Sequence, residues 1–212
     1  MTMDPLQKVR QKKRIDEALR RLMAGEIESA ETIFKELLLV TPDYPEALHG
    51  MGLLCVARAA YPQAEQWLRK AVALDPQVAE YWNVLGESLR HQGLGEQAVE
   101  AYRQALALAP GMPSIINNLA VGLAGLGNTG EAKKYLREVI ELDPADPHPY
   151  NNLGVVLEFE GQDEEALRCY EKAVKCKHDF QEAKENYANL LSRCPGLMMD
   201  SLSRFLDEAK NL

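Results

Sequence analysis

The 212-residue chain is short of several things at once: it has two tryptophans, four phenylalanines and four cysteines, and no apolar run long enough to cross a bilayer. Each shortage excludes a class of protein. Cys55, Cys169, Cys176 and Cys194 form no CxxC pair and no metal-ligand spacing, so they read as reduced thiols, not as a disulfide framework or a zinc site. The basic start is not followed by an apolar segment, so no secretory signal is read and the cytoplasm is the expected location. There is no HExxH and no glycine-rich phosphate loop, and the four histidines, His49, His91, His148 and His178, are scattered along the chain. The sequence therefore nominates no reaction, no catalytic residues, no metal and no cofactor; it is not read as an enzyme.

Positive charge is also scarce. A net charge of -8 and a pI of about 5.1 argue against a broad nucleic-acid-binding surface. The imbalance is uneven, because residues 1–24 carry seven basic side chains against Asp4, Asp16 and Glu17. That segment suits peripheral contact with an acidic partner or an anionic membrane surface, or else is a solvated helical extension.

What the chain does have is repetition. In residues 81–110, Trp82, Leu85, Gly86 and Leu89 follow helical spacing, Gly93 breaks it, and Ala98, Tyr102 and Ala105 resume it before Pro110. Sliding this helix-turn-helix pattern by 34 residues aligns most of the chain. Prolines recur as Pro42, Pro76, Pro110 and Pro144, and a small residue of the first helix recurs as Ala18, Gly52, Gly86, Ala120, Gly154 and Ala188. In the second helix Ala30, Ala64, Ala98, Ala132 and Ala166 are each followed, four residues on, by Phe34, Leu68, Tyr102, Leu136 or Tyr170. Small and large side chains one turn apart let knobs of one helix enter gaps in the next.

These columns resemble the tetratricopeptide repeat family, over roughly residues 11–189. Individual units depart from its pattern: Arg14, Glu17 and Arg21 stand where large apolar residues are expected, Ala59 occupies the turn-glycine position, and His178 the proline column. The resemblance implies an all-α, right-handed superhelical solenoid. Five repeats would occupy residues 11–44, 45–78, 79–112, 113–146 and 147–180, after a basic extension at 1–10. A capping helix at 181–194 and an amphipathic helix at 195–212, carrying Met198, Leu202, Phe205, Leu206 and Ala209, would complete the chain.

Function in this family implies a non-catalytic scaffold that holds a peptide of a partner protein in a groove lined by first helices. The inward positions would be His49, Leu53, Asn83, Glu87, Arg90, Asn117, Asn118, Val121, Asn151, Asn152, Val155, Phe159, Asn186 and Asn189. The asparagines recur at 34 residues in two columns and are similar to the ladder in the repeat region of O-linked N-acetylglucosamine transferases. An amide both donates and accepts, so such a ladder can bind a peptide backbone; the competing expectation is that some of these amides brace neighbouring helices. Replacing Asn118 and Asn152 by alanine is then expected to weaken a partner with little loss of stability. The lysine used by chaperone-binding members is missing, which disfavours that function. The alternative function is a structural protein that self-associates into a homo-oligomer through its terminal helices, on a membrane-bound organelle or machine.

Overall fold

The structure is a computed structural model that describes residues 5–196. Among the described residues there are eleven α-helices and no strand. The amphipathic helix expected over 195–212 lies, but for its first two residues, outside that range.

The chain divides into two compact units, with the division at Asn118 and Leu119. The first unit holds α1 (Pro5–Met23), α2 (Ile27–Val40), α3 (Pro45–Ala57), α4 (Tyr61–Leu74), α5 (Ala79–His91) and α6 (Gly95–Leu108), together with the start of α7 (Pro113–Gly125). The second holds the rest of α7, then α8 (Thr129–Leu142), α9 (Pro147–Phe159), α10 (Asp163–Cys176) and α11 (Gln181–Arg193).

Within the first unit each helix packs on the next from α1 to α5 and α5 on α6, while α1 also touches α3 and α3 touches α5. Within the second, α8 packs on α9, α9 on α10 and α10 on α11, and α9 touches α11. Within each unit, first helices of successive hairpins also lie beside one another: α1 beside α3, α3 beside α5, and α9 beside α11. That second set of contacts is what brings side chains 34 or 35 residues apart face to face.

The repeating small residues mark where helices approach most closely. A Cβ built on Gly86 would lie 2.6 Å from the Tyr102 ring, one on Gly154 2.5 Å from the Tyr170 ring, and one on Gly52 2.6 Å from Leu68 Cγ. Tyr102, Tyr170 and Leu68 are fully buried. A methyl group at any of these glycines would have to displace a core side chain from a close-packed interior.

The hairpin turns share one conformation. Gly25, Gly93, Gly127 and Gly161 adopt φ between 76° and 79°, and Ala59, at the same place in its hairpin, is held at φ 54°. Alanine lacks glycine's freedom in this left-handed region. The turn is kept there by the helices on either side, with Ala59 N–H bonded to Val56 O at 2.9 Å and Ala60 N–H to Cys55 O at 2.8 Å.

In α1 the charged residues do not prevent packing. Ile15 and Ala18 are buried against Ala30, Phe34 and Leu37 of α2, with Leu19 and Leu22 partly covered at the margin of the same cluster. Arg14 turns outward to pair with Glu36, and Arg21 pairs with Glu17 one turn back at 2.8 Å. The apolar stripe is narrower than in the other first helices but lies on one face, so a narrow seam suffices.

Candidate functional site

In the first unit, α3 and α5 carry His49, Leu53, Asn83, Glu87 and Arg90, and the start of α7 carries Asn117 and Asn118. His49 is buried, its ring 4.8 Å from that of Tyr81, and its Nε2 has no hydrogen-bond partner among the described residues. Burial pushes the His49 pKa down to about 4, which keeps the ring neutral at physiological pH. A neutral, covered histidine serves packing.

Asn83 is also buried, and the Asn118 amide N–H donates to its oxygen at 3.0 Å. Leu53, Glu87 and Arg90 are partly exposed. The Arg90 guanidinium donates to Nε2 of the neighbouring His91 at 2.9 Å, and His91 in turn stacks on Tyr61 with ring centroids 4.4 Å apart and planes 5° from parallel. Desolvation and the arginine charge both disfavour a protonated His91, and its pKa is lowered, desolvation being the larger cause.

In the second unit, α9 supplies Asn151, Asn152, Val155 and Phe159, α7 supplies Val121, and α11 supplies Asn186 and Asn189. Asn151 is buried and engaged at both ends: its N–H donates to Glu182 at 3.0 Å and its oxygen accepts from Asn186 at 2.9 Å. This is the Asn118–Asn83 bond repeated 68 residues later. Asn118, Asn83, Asn186 and Asn151 therefore brace successive first helices, the role the sequence left as the competing reading for some of these amides. Asn189, by contrast, is exposed.

Four of the expected residues come together around one recess of about 240 Å³. Val121 lies on one side, and Asn152, Val155 and Phe159 on the other. The floor includes Leu136 and Val156, and Thr129 stands at the start of α8. Phe159 is 77 % exposed and Val155 46 %. Such exposure of a large apolar side chain beside a concave apolar surface is how binding sites present themselves. The volume exceeds the roughly 150 Å³ of an apolar protein cavity that accepts a benzene-sized ligand.

Sequence reasoning missed Thr129 and Leu136, because it looked only to first helices for the groove. Leu136 was visible as the bulky member of the alanine column, but that column signals core and says nothing about which part of a core side chain reaches a recess. Next to Phe159 in the chain, Glu158 at the end of α9 accepts from the buried Tyr170 hydroxyl at 2.7 Å and pairs with Arg193 of α11. This linkage holds the end of α9, and so Phe159, against α10 and α11. Among the described residues no group of three or more His, Cys, Asp or Glu is placed to hold a metal ion, and no helix is long and apolar enough to cross a membrane.

Comparison with known proteins decides the family. Models described as tetratricopeptide repeat match residues 21–87, 69–113, 113–146 and 147–176. The chain belongs to the tetratricopeptide repeat family. Its fold is all-α and of the helical-repeat solenoid class, as the sequence led one to expect. Among curated proteins, human tetratricopeptide repeat protein 7A is 36 % identical over 72 residues, which is 34 % of this chain and 8 % of that protein. The similarity thus concerns a small part of a much longer relative.

Among solved structures, YrrB, described as a tetratricopeptide repeat protein with an unusual peptide-binding site, superposes with a TM-score of 0.65 at 23 % identity. That match covers 81 % of this chain and 89 % of YrrB. TTC0263 of Thermus thermophilus, a thermophilic member of the family, gives a TM-score of 0.71 at 22 % identity, covering 85 % and 98 % of the two chains. Proteins of this family are generally non-catalytic interaction scaffolds, and a peptide-binding site is described for one structural neighbour, YrrB.

Proposed function

We propose that this tetratricopeptide repeat protein is a non-catalytic adaptor that binds a segment of a partner protein, seating an apolar side chain of that segment in the recess between Val121 and Phe159. The observation that carries the reading is the recess itself: about 240 Å³ of concave apolar surface flanked by a phenylalanine that is 77 % exposed. Covering such a side chain contributes roughly 1.5–3 kcal/mol, enough to anchor a short peptide. An amide carries both donors and an acceptor, so Asn152 at the rim suits contact with a peptide backbone.

The likeness to YrrB supports this reading at the level of fold, since that protein has a peptide-binding site in the same architecture. Asn83, Asn118, Asn151 and Asn186 are engaged with one another in pairs, while Asn152 lines the recess and Asn189 is exposed. Free Cys55, Cys169, Cys176 and Cys194 fit a reducing compartment, which supports the cytoplasm as the adaptor's location.

The test is selection of peptides from a random displayed library on the immobilised full chain, followed by anisotropy measurements on the selected sequences. Peptides with an apolar anchor, whose affinity drops about tenfold in Phe159→Ala, are the expected result, a tenfold loss being about 1.4 kcal/mol of an interface anchor. Selected peptides that bind Phe159→Ala and Val155→Asp as well as wild type would sink the reading.

A further inference from the structure

α1 packs on α2 and α3 through Ile15 and Ala18, and its opposite face carries a different set of side chains. Leu6, Val9, Arg10 and Lys13 stand at i, i+3, i+4 and i+7, one face of a helix, and all four are exposed. The Gln11 side chain donates to Thr41 Oγ1 at 2.8 Å, which sets the first turns of α1 beside the end of α2. Leu6 lies about 8 Å from Gln11 along the helix axis. At that end of α2, Leu39 and Val40 are 83 % and 75 % exposed, and on α1 Leu6 and Val9 are 67 % and 54 % exposed. Four aliphatic side chains therefore protrude around one end of this helix pair.

The cations beside them are not neutralised. Arg14 pairs with Glu36 and Arg21 with Glu17, whereas Arg10, Lys12 and Lys13 have no ion-pair partner among the described residues. Residues 5–13 hold four basic residues and no acidic one; Asp43, two residues beyond Thr41, opposes them with a single negative charge. Side chains that protrude this far would need concave pockets on a folded protein partner. A bilayer makes no such demand: its interior takes aliphatic side chains of any arrangement, and its phosphates take the charged tips of lysine and arginine.

We infer that the first turns of α1 and the end of α2 form a contact with the surface of a membrane that carries anionic phospholipid. Leu6, Val9, Leu39 and Val40 enter the headgroup boundary, and Arg10, Lys12 and Lys13 meet the phosphates. The contact uses none of the residues of the recess and stands or falls apart from it. Because the whole chain carries a net charge of -8, attraction to an anionic surface has to come from a local patch such as this one. Each lysine or arginine held near such a surface strengthens binding about fivefold, and salt screens the effect. The contact is therefore peripheral and reversible.

The experiment is sedimentation of the full chain with vesicles of phosphatidylcholine containing phosphatidylserine, against vesicles of phosphatidylcholine alone, at low and at high salt. Binding to the anionic vesicles only, lost at high salt, is expected. Arg10→Gln with Lys13→Gln should weaken it about 25-fold, at about fivefold for each cation. Lys134→Gln with Lys184→Gln, the same change of net charge on exposed residues of the second unit, should leave it as in wild type. Leu39→Trp is expected to be quenched by brominated lipid in the anionic vesicles more strongly than the wild-type Trp67 and Trp82 are. All these positions are exposed, and melting curves check that each variant folds. No binding, equal binding to both kinds of vesicle, equal loss in the two charge variants, or no added quenching in Leu39→Trp overturns the inference. A dimer mass that forms without vesicles and is abolished by Leu39→Ser with Val40→Ser also overturns it, and gives the patch to a second copy of the chain.

Discussion

The Asn118 amide donates to the buried oxygen of Asn83 at 3.0 Å, tying the start of α7 to α5 inside the first unit. The Asn186–Asn151 bond does the same between α11 and α9 in the second. Removing the donor leaves a covered amide oxygen unpaired, which costs about 1–3 kcal/mol. Asn118→Ala and Asn186→Ala are thus expected to lower the denaturation midpoint measurably, whereas Asn189→Ala, on an exposed side chain, should stay within about 0.5 kcal/mol of wild type. Urea titrations followed by circular dichroism decide it. The sequence-based expectation that the Asn118, Asn152 double variant would spare stability is revised accordingly, and Phe159 and Val155 are the cleaner probes of binding.

Phe159→Ala and Val155→Asp are expected to leave the urea midpoint nearly unchanged, because both side chains are substantially exposed, while weakening a selected peptide about tenfold. Anisotropy and denaturation on the same preparations separate the two effects. A variant that loses stability and binding together would mean that Phe159 is part of the core.

The close approach of Gly154 to Tyr170 gives a packing prediction. Gly154→Ala should cost about 1–3 kcal/mol, since the new methyl would stand 2.5 Å from the ring in a filled interior. Combining it with Tyr170→Ala, which opens the space, should cost less than the sum of the two single changes. Additive losses in a double-mutant cycle would show that the clash is relieved elsewhere.

Ala59 is expected to gain from becoming glycine. It is held at φ 54° where four glycines hold the equivalent turns, and an L-residue there carries about 1–2 kcal/mol of steric strain. Part of that gain is offset by the greater freedom of glycine in the unfolded chain. Ala59→Gly should therefore raise stability by roughly 0.5–1 kcal/mol, and Gly93→Ala should lower it by a similar amount, both read as melting temperatures.

The buried His49 predicts a pH dependence. Its pKa falls from 6.5 to about 4 on burial, so the unfolded chain binds a proton that the folded chain refuses. The stabilisation is fully present above pH 6.5 and is lost as pH falls toward 4. By pH 4.5 the loss from this one residue is about 2–3 kcal/mol. His49→Phe should show a shallower decline in melting temperature between pH 7 and pH 4.5 than wild type; parallel curves would mean that His49 is hydrated in the native state.

The repeat pattern, the hairpin turns and the helices were legible in the residues alone, since each follows from the local chain. A positive φ wants glycine, an amphipathic stripe wants one buried face, and a small residue one turn from a large one wants a neighbour that interlocks. Ala59 was recognisable as an exception in a glycine column before its φ was known. Legible too were Val121, Asn152, Val155 and Phe159 as members of one surface, because they sit on matching faces of first helices.

Packing alone settled which polar groups of those helices are spent on one another. Asn83, Asn117 and Asn151 are indistinguishable by spacing, as are Asn118, Asn152 and Asn186. That Asn118 bonds to Asn83 and Asn186 to Asn151 depends on a lateral offset between helices, and the 35-residue reach of each bond is set by that offset, not by the 34-residue period. The same holds for His49, which the period assigned to a groove and packing against Tyr81 buried. The recess likewise needs Leu136 and Thr129 from a second helix, placed there by how far one hairpin stands from the next. Sequence period fixes which face a residue occupies; the distance between faces, and so what each side chain can touch, comes from packing.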